Sequence, residues 1–420
     1  MFASRLATAC VALFAARVAA AGELVECPAE YEEEFMPVIQ RDLLPWVGGI
    51  SEELFRNTVA YAMQGETRGN VAIGRCSAAS ILILNGTVTA TYSEPDCNQT
   101  AAWPFVDAFP QYLATIAVEM GLPDTVFVIS TADKNDNDNY HTHFNATLRP
   151  IFHFCRTVDA ADILVESHVV HMAGGLGLEL MREKLREHPP PDWSDKRDVL
   201  FGAWTTYGRW VPHLEEPATL RYNLDGEVDY NSRLAVENVG RQMNDSRVQI
   251  NTNGFVHNWE WANFRYIVHV DGVTCSNKIF ESLLTGSLVF VEQSGYQCLP
   301  QAHLRPFVHY VPFYQHFPQE LIWAWEWVNA HPGLAQSIAA AGKAWADNFL
   351  AKKALKCRWR LLLREYNRLL RFDPVAYALA QSPPPPRPPP PPRAPQPPRP
   401  PPPPRPPFPP GSPSPIMHPR

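Results

Sequence analysis

Three sets of residues in this 420-residue chain have the types and spacing to do chemistry. Asp133 follows the apolar run Thr125-Val-Phe-Val-Ile-Ser130, where a buried parallel strand delivers side chains into a crevice. Ser276 and Lys278 open a predicted helix after Asp271-Gly272, so backbone N–H groups and a cation would face phosphate there. Asp136-Asn-Asp138 has the Asp-x-Asp pattern that holds a divalent cation on a diphosphate, and it makes Mn²⁺ a lesser alternative. A carboxylate can take up a proton, and a phosphate-facing cation can stabilise negative charge. Two flanking carboxylates would instead suggest hydrolysis. His141-x-His143 has metal-like spacing without a third ligand set beside it, and Gly174, Gly175 and Gly177 lack the last glycine of a dinucleotide fingerprint.

The elements that must position these groups alternate between strand and helix. Cys27 to about Gly48 reads as a short lead, and Ser51 caps a helix running to Tyr61. Ile81–Leu84 and Val88–Thr91 flank Asn85-Gly86, a hairpin signal. Phe109–Glu119 is helix-like and leads into the Thr125 strand; Pro150–Phe154 and Asp162–Val165 are further strands, and Gly177–His188 is a charged helix. Pro189-Pro-Pro191 breaks the chain, and Asp198–Phe201, Arg265–Val270, Gly286–Phe290 and Val308–Val311 then read as strands. Helices are predicted over Ser276–Leu284, Glu320–Val328, Leu334–Phe349 and Cys357–Leu370. This is α/β patterning in two successive units.

Composition sends the chain out of the cytosol. Arg5, the apolar stretch Leu6–Ala16 and Ala19-Ala-Ala21 form a secretory signal, too short to span a membrane. Four glycosylation sequons begin at Asn85, Asn98, Asn145 and Asn244. Seven cysteines remain after the signal, none in a CxxC pair, which reads as disulfides with one thiol left over; Cys76–Cys97 is the local pairing. Without the signal and the Pro-rich end, 29 basic residues stand against 43 acidic ones, the wrong sign for a nucleic-acid protein. Residues 382–420 carry no acid and read as a disordered polyproline II rod resembling hydroxyproline-rich wall glycoproteins. Its last four residues, Met417–Arg420, are not an ER-retrieval signal.

The most specific stretch runs from Phe264-Arg-Tyr-Ile-Val-His-Val-Asp-Gly-Val-Thr-Cys-Ser-Asn-Lys278 through Leu283-Leu-Thr-Gly-Ser-Leu-Val289 to Leu304–Pro312. With Leu122–Asp133, Pro150–Phe154, Gly175-Leu-Gly177, Trp193-Ser-Asp-Lys196, Gly202 and Arg209 in order, it resembles glycosyltransferase family 90. That capsule-associated-protein-like domain includes protein O-glucosyltransferases and some xylosyltransferases. The resemblance implies a GT-B-like α/β fold, two Rossmann-like domains facing across a cleft. Residues 22–190 would bind the acceptor, 191–353 the UDP-sugar, and 354–381 would pack back, with no part for the signal 1–21 or the tail 382–420. It also implies an inverting enzyme that moves glucose or xylose to a protein or glycan hydroxyl, with Asp133 as general base and no required metal. Donor binding would fall to Ala203, Arg209, Gly272, Val273, Thr274, Cys275, Ser276, Asn277 and Lys278, and acceptor-side contacts to His171, Gly174 and Gly175. A Cys27–Cys357 bridge follows from the same resemblance.

Two departures stand out. Lys278 replaces the family's usual arginine and loses its bidentate fork. Phe201-Gly202-Ala203 replaces Arg-Gly-Ser, which removes one cation and one hydroxyl. The alternative is therefore a degenerate member serving as a wall-associated binding or structural glycoprotein. Residence is expected in the secretory lumen or outside the cell, with the tail touching wall or matrix.

Overall fold

Thr125–Ser130 is apolar on both faces and becomes the central strand of the first of two five-stranded sheets. The computed structural model describes residues 24–64, 76–94, 96–100, 103–132, 148–157, 160–175, 177–206, 209–210, 221–222, 228–252 and 256–381. The expected signal segment, Asp133, Asp136, Asp138, His141, His143 and the Pro-rich tail lie outside them.

The chain begins with α1 (Ala29–Leu43) and α2 (Glu52–Gln64). The expected lead before Gly48 contains a helix: α1 runs through Pro37, a residue that ordinarily breaks helices. Its apolar face offsets the missing hydrogen bond, burying Phe35, Ile39 and Leu43 in the core. Ser51 caps α2 as expected, its Oγ accepting from Leu54 N at 3.1 Å. The hairpin is β1 (Ala78–Leu84) and β2 (Thr87–Tyr92), with Asn85 and Gly86 both left-handed (φ 49° and 71°) as a two-residue turn requires.

Next come α3 (Trp103–Ile116), β3 (Thr125–Ser130), β4 (Ile151–His153), β5 (Cys155–Thr157), β6 (Ile163–Leu164), α4 (His168–Gly175) and α5 (Gly177–Glu187). The first sheet has the order β2-β1-β3-β4-β6, antiparallel at the hairpin and parallel from β3 to β6.

The second sheet has the order β11-β7-β12-β13-β15 and is parallel throughout. Its strands are β7 (Arg197–Ala203), β11 (Val248–Asn251), β12 (Phe264–His269), β13 (Leu288–Glu292) and β15 (Val311–Phe313). The last lies three residues beyond the expected start at Val308, because Val308 N and His309 N instead turn back to Arg305 O. Three short strands, β8 (Arg209–Trp210), β9 (Arg221–Tyr222) and β10 (Val228–Tyr230), form their own sheet, and α6 (Ser232–Gln242) follows. The remaining elements are α7 (Lys278–Leu284), β14 (Tyr296–Cys298), α8 (Leu299–His303), α9 (Glu320–Ala330), α10 (Pro332–Phe349), α11 (Lys352–Asn367) and α12 (Pro374–Gln381).

Two devices knit these layers together through Ala380. The helix α11 returns to the first sheet, where Trp359 lies parallel to Phe152, and Cys357 is bonded to Cys27. Within the same helix Arg358 is fully buried, donating to Leu164 O at 2.6 Å and to Glu166 at 3.3 Å. The second device is a two-stranded ribbon, β5 with β14, reinforced by the Cys155–Cys275 disulfide. Cys76–Cys97 is the third bridge. The described sequon asparagines, Asn85, Asn98 and Asn244, are exposed. Among the described residues no helix is long and apolar enough to cross a membrane.

Candidate active site

Parallel strands end together, so Ala203, His269, Glu292 and Phe313 mark one edge of the second sheet, the edge at which open α/β sheets bind ligands. The loop from Val270 to Asn277 crosses it. Asp271, only 1% exposed, organises the loop. Its Oδ1 accepts from Ser276 N at 2.8 Å, its Oδ2 from Ser294 Oγ at 2.6 Å, and its own N–H donates to Glu292 at 2.9 Å.

These bonds correct part of the expectation. The helix begins at Lys278, not Ser276, and it has seven residues. Ser276 N is taken by Asp271, Gly272 N by Thr274 O at 2.8 Å, and Cys275 N points to Cys155 Sγ at 3.1 Å. Cys275 itself is spent in a disulfide. Two side-chain cations lie beside these amides, each donating to backbone carbonyls.

Lys278 is the first of them. Its Nζ donates to Ala203 O at 2.9 Å and sits 4.2 Å from the centre of the Trp261 ring, a cation–π position. Burial pulls the ammonium down to about 8, the Arg233 charge adds to the fall, and Glu281 opposes it. Burial pushes Glu281 up to about 7, while Lys278 and a hydrogen bond from Asn258 pull the other way.

The second cation is one that sequence reading missed. Arg233, in the first turn of α6, donates to Thr205 O at 2.7 Å, Asp271 O at 3.0 Å and Val270 O at 3.3 Å. A Cβ on Gly272 would come within 3.3 Å of its guanidinium, so the glycine lets loop and arginine approach. The one local signal was Asn231, which caps α6 by accepting from Leu234 N at 3.0 Å. Arg209 lies on β8, and its side chain is outside what the structure describes.

Phe201 shows what replaced the family's arginine. Its ring stacks on Phe264 at 4.0 Å with planes 2° apart and meets Trp261 edge-on at 5.2 Å. Here an apolar slot is filled, and Lys278 contacts the same Trp261. Gly202 is required by Trp204, whose ring would lie 2.5 Å from an added Cβ.

On the first-sheet side, His171 does not face outward. It is 1% exposed and stacks on Tyr112 at 4.1 Å, with Nε2 3.5 Å from Glu166. Burial raises the Glu166 carboxyl, but Arg358 and His171 outweigh it and hold the group low. Neighbouring His168 is pulled down to about 4 by burial and by the charges of His171 and His153. His171 therefore props α4 against α3 from within. Gly174 and Gly175 end α4, and only their helical backbone is described.

Comparison with known proteins gives the chain its family. The sequence profile of "Glycosyl transferase family 90" matches residues 24–382, most of the chain. The chain belongs to this family. It is a glycosyltransferase. Among curated relatives, this glycosyltransferase is 26% identical to O-glucosyltransferase rumi of Drosophila pseudoobscura pseudoobscura over 351 residues, 80% of this chain and 77% of that one. It is 25% identical to protein O-glucosyltransferase 1 of Bos taurus over 349 residues, 80% of each. Among solved structures, a glycosyltransferase from Rickettsia africae is 12% identical, with a TM-score of 0.29 over 65% of this chain and 76% of that one. Anabaena HepE in complex with UDP-glucose is 13% identical, with a TM-score of 0.25 over 45% and 52%. The family membership rests on sequence, and the architecture on the sheets described above.

Proposed function

We propose that this glycosyltransferase moves glucose, with xylose as runner-up, from a UDP-sugar to a hydroxyl of a protein or glycan acceptor, with inversion at the anomeric carbon. One observation carries the reading. Lys278 and Arg233 donate to carbonyls just at or past the strand ends on the carboxyl edge of a parallel sheet, in a chain most of whose length matches the family. Two cations at such an edge suit a diphosphate. That these relatives are O-glucosyltransferases supports glucose as the sugar.

In this mechanism Asp133 takes the proton from the acceptor hydroxyl as its oxygen attacks the sugar, and UDP departs toward Lys278 and Arg233. Arg233 fills the phosphate role that the resemblance implied for Arg209. The donor occupies the second-sheet side of a cleft, and the acceptor comes from the β3 side. No divalent metal takes part, so chelator leaves turnover intact; its abolition would favour Asp136 and Asp138. Three disulfides and exposed sequons support residence in an oxidising lumen or outside the cell.

The test is a screen of UDP-sugar hydrolysis and transfer, followed by Asp133→Asn. The expected result is turnover reduced about 10²–10⁴-fold with UDP affinity retained. Intact turnover would remove Asp133 as the base. Absence of binding heat at millimolar UDP would favour the structural-glycoprotein alternative, to which the Phe201–Phe264 stack already gives a physical footing.

A further inference from the structure

Three cysteines meet where the two sheets are stitched together. Cys155 opens β5 and is bonded to Cys275 in the 270–277 loop, their Cα atoms 5.7 Å apart. Opposite Cys155, in register on β14, stands Cys298, the free cysteine among the described residues. Opposed residues of an antiparallel pair have Cα atoms about 4.5–5.5 Å apart. That is inside the range of about 4.4–6.8 Å that a disulfide spans. By strand register and backbone spacing Cys155 thus faces a second cysteine besides Cys275, and all three share one buried cluster.

We propose that Cys298 is a resolving thiol for the Cys155–Cys275 bridge, and that exchange between the two pairings sets how firmly the 270–277 loop is held. The consequence for donor binding rests on the function proposed above. The step balances without an oxidant. Cys298 Sγ gives up its proton and attacks Cys155 Sγ; the Cys155–Cys298 bond forms as Cys155–Cys275 breaks. Cys275 leaves with the electron pair and takes up a proton.

The two pairings differ in what they tie. Cys155–Cys275 anchors the loop to β5 covalently. Cys155–Cys298 joins two strands that already pair, so the stitch between the sheets survives while the loop loses its anchor. Cys298 is held for this role by reciprocal bonds with Gln301: its N–H donates to Oε1 at 2.9 Å, and its sulfur accepts from the Gln301 backbone. Burial and the Asp271 carboxylate push the thiol up, so it stays protonated and the first pairing persists until an exchange catalyst or a local opening intervenes.

The test uses the full oxidised chain equilibrated in glutathione redox buffers, quenched in acid, alkylated in denaturant and mapped by peptide mass spectrometry. The expected result is a Cys155–Cys298 cross-linked peptide with alkylated Cys275, in at least about one molecule in a hundred. Label confined to Cys298 until Cys155 and Cys275 become labelled together would overturn the exchange. Two variants then read the loop. Cys275→Ser, oxidised with glutathione disulfide, should close Cys155–Cys298 and bind UDP-glucose about tenfold more weakly than Cys298→Ser, which keeps the first bridge. Equal affinities would overturn the control of the loop. Should Cys275→Ser not fold, the native peptide map still decides the exchange. Were no form of the protein to bind UDP-glucose, the donor reading would fail, and the map would again decide the exchange by itself.

Discussion

The ammonium of Lys278 lies 2.9 Å from the carbonyl oxygen of Ala203, so the first residue of α7 is tied to the last residue of β7. That bond fixes a cation at the carboxyl edge of the second sheet, in a place dry enough to lower its affinity for protons. An arginine there would stay charged at any working pH. The lysine does not.

Donor binding should therefore depend on pH. In the ligand-free protein Lys278 goes from charged to neutral at about 8, so an arriving diphosphate meets a neutral amine more often as pH rises. Calorimetry with UDP-glucose should show affinity falling about tenfold between pH 7 and 9.5, and Lys278→Arg should flatten the profile. Stability of the free protein runs the other way. The unfolded lysine binds protons more tightly than the native one, so this residue adds stability as pH rises from about 8 toward 10.5. An unchanged profile in Lys278→Arg would remove this residue from the donor site.

Arg358 and Glu166 are both fully buried and 3.3 Å apart. Arg358→Met alone leaves a carboxylate without its cation and should cost about 3–5 kcal/mol, read as a fall in denaturant midpoint. The double change with Glu166→Gln should recover much of that loss. Failure to recover would mean that Arg358 matters mainly for its bond to Leu164 O.

Cys27→Ser releases the chain ahead of α1 from α11 and reopens a loop of 330 residues. The expected loss is about 2–5 kcal/mol, visible as a lower unfolding temperature. Donor affinity should hardly change, because the bridge ties the chain ahead of α1 to α11 and neither end belongs to the 270–277 loop.

Gly202→Ala drives a Cβ into the Trp204 ring, which is itself buried. A cost of about 1–3 kcal/mol is expected from overpacking. Because Ala203 follows directly and accepts from Lys278, UDP affinity should fall as well. Loss of stability with unchanged affinity would show that β7 does not transmit strain to the site.

Local chemistry was enough to read much of this protein. The doubly apolar Thr125–Ser130 run, the Asn85-Gly86 turn and the Ser51 cap each declared their elements, because the physical cause lay within a few residues. The Phe264–Lys278 stretch likewise announced the family. What lay beyond local reach was decided by folding: α1 persists through Pro37 only because its apolar face is buried against the core. Likewise Arg233 reaches the Val270 and Asp271 carbonyls only because folding brings the start of α6 beside that loop, and Ser276 loses its amide to a carboxylate five residues back. Burial turns Lys278 into a titrating cation and His171 into an inner prop, and no spacing along the chain encodes how much water a side chain will lose.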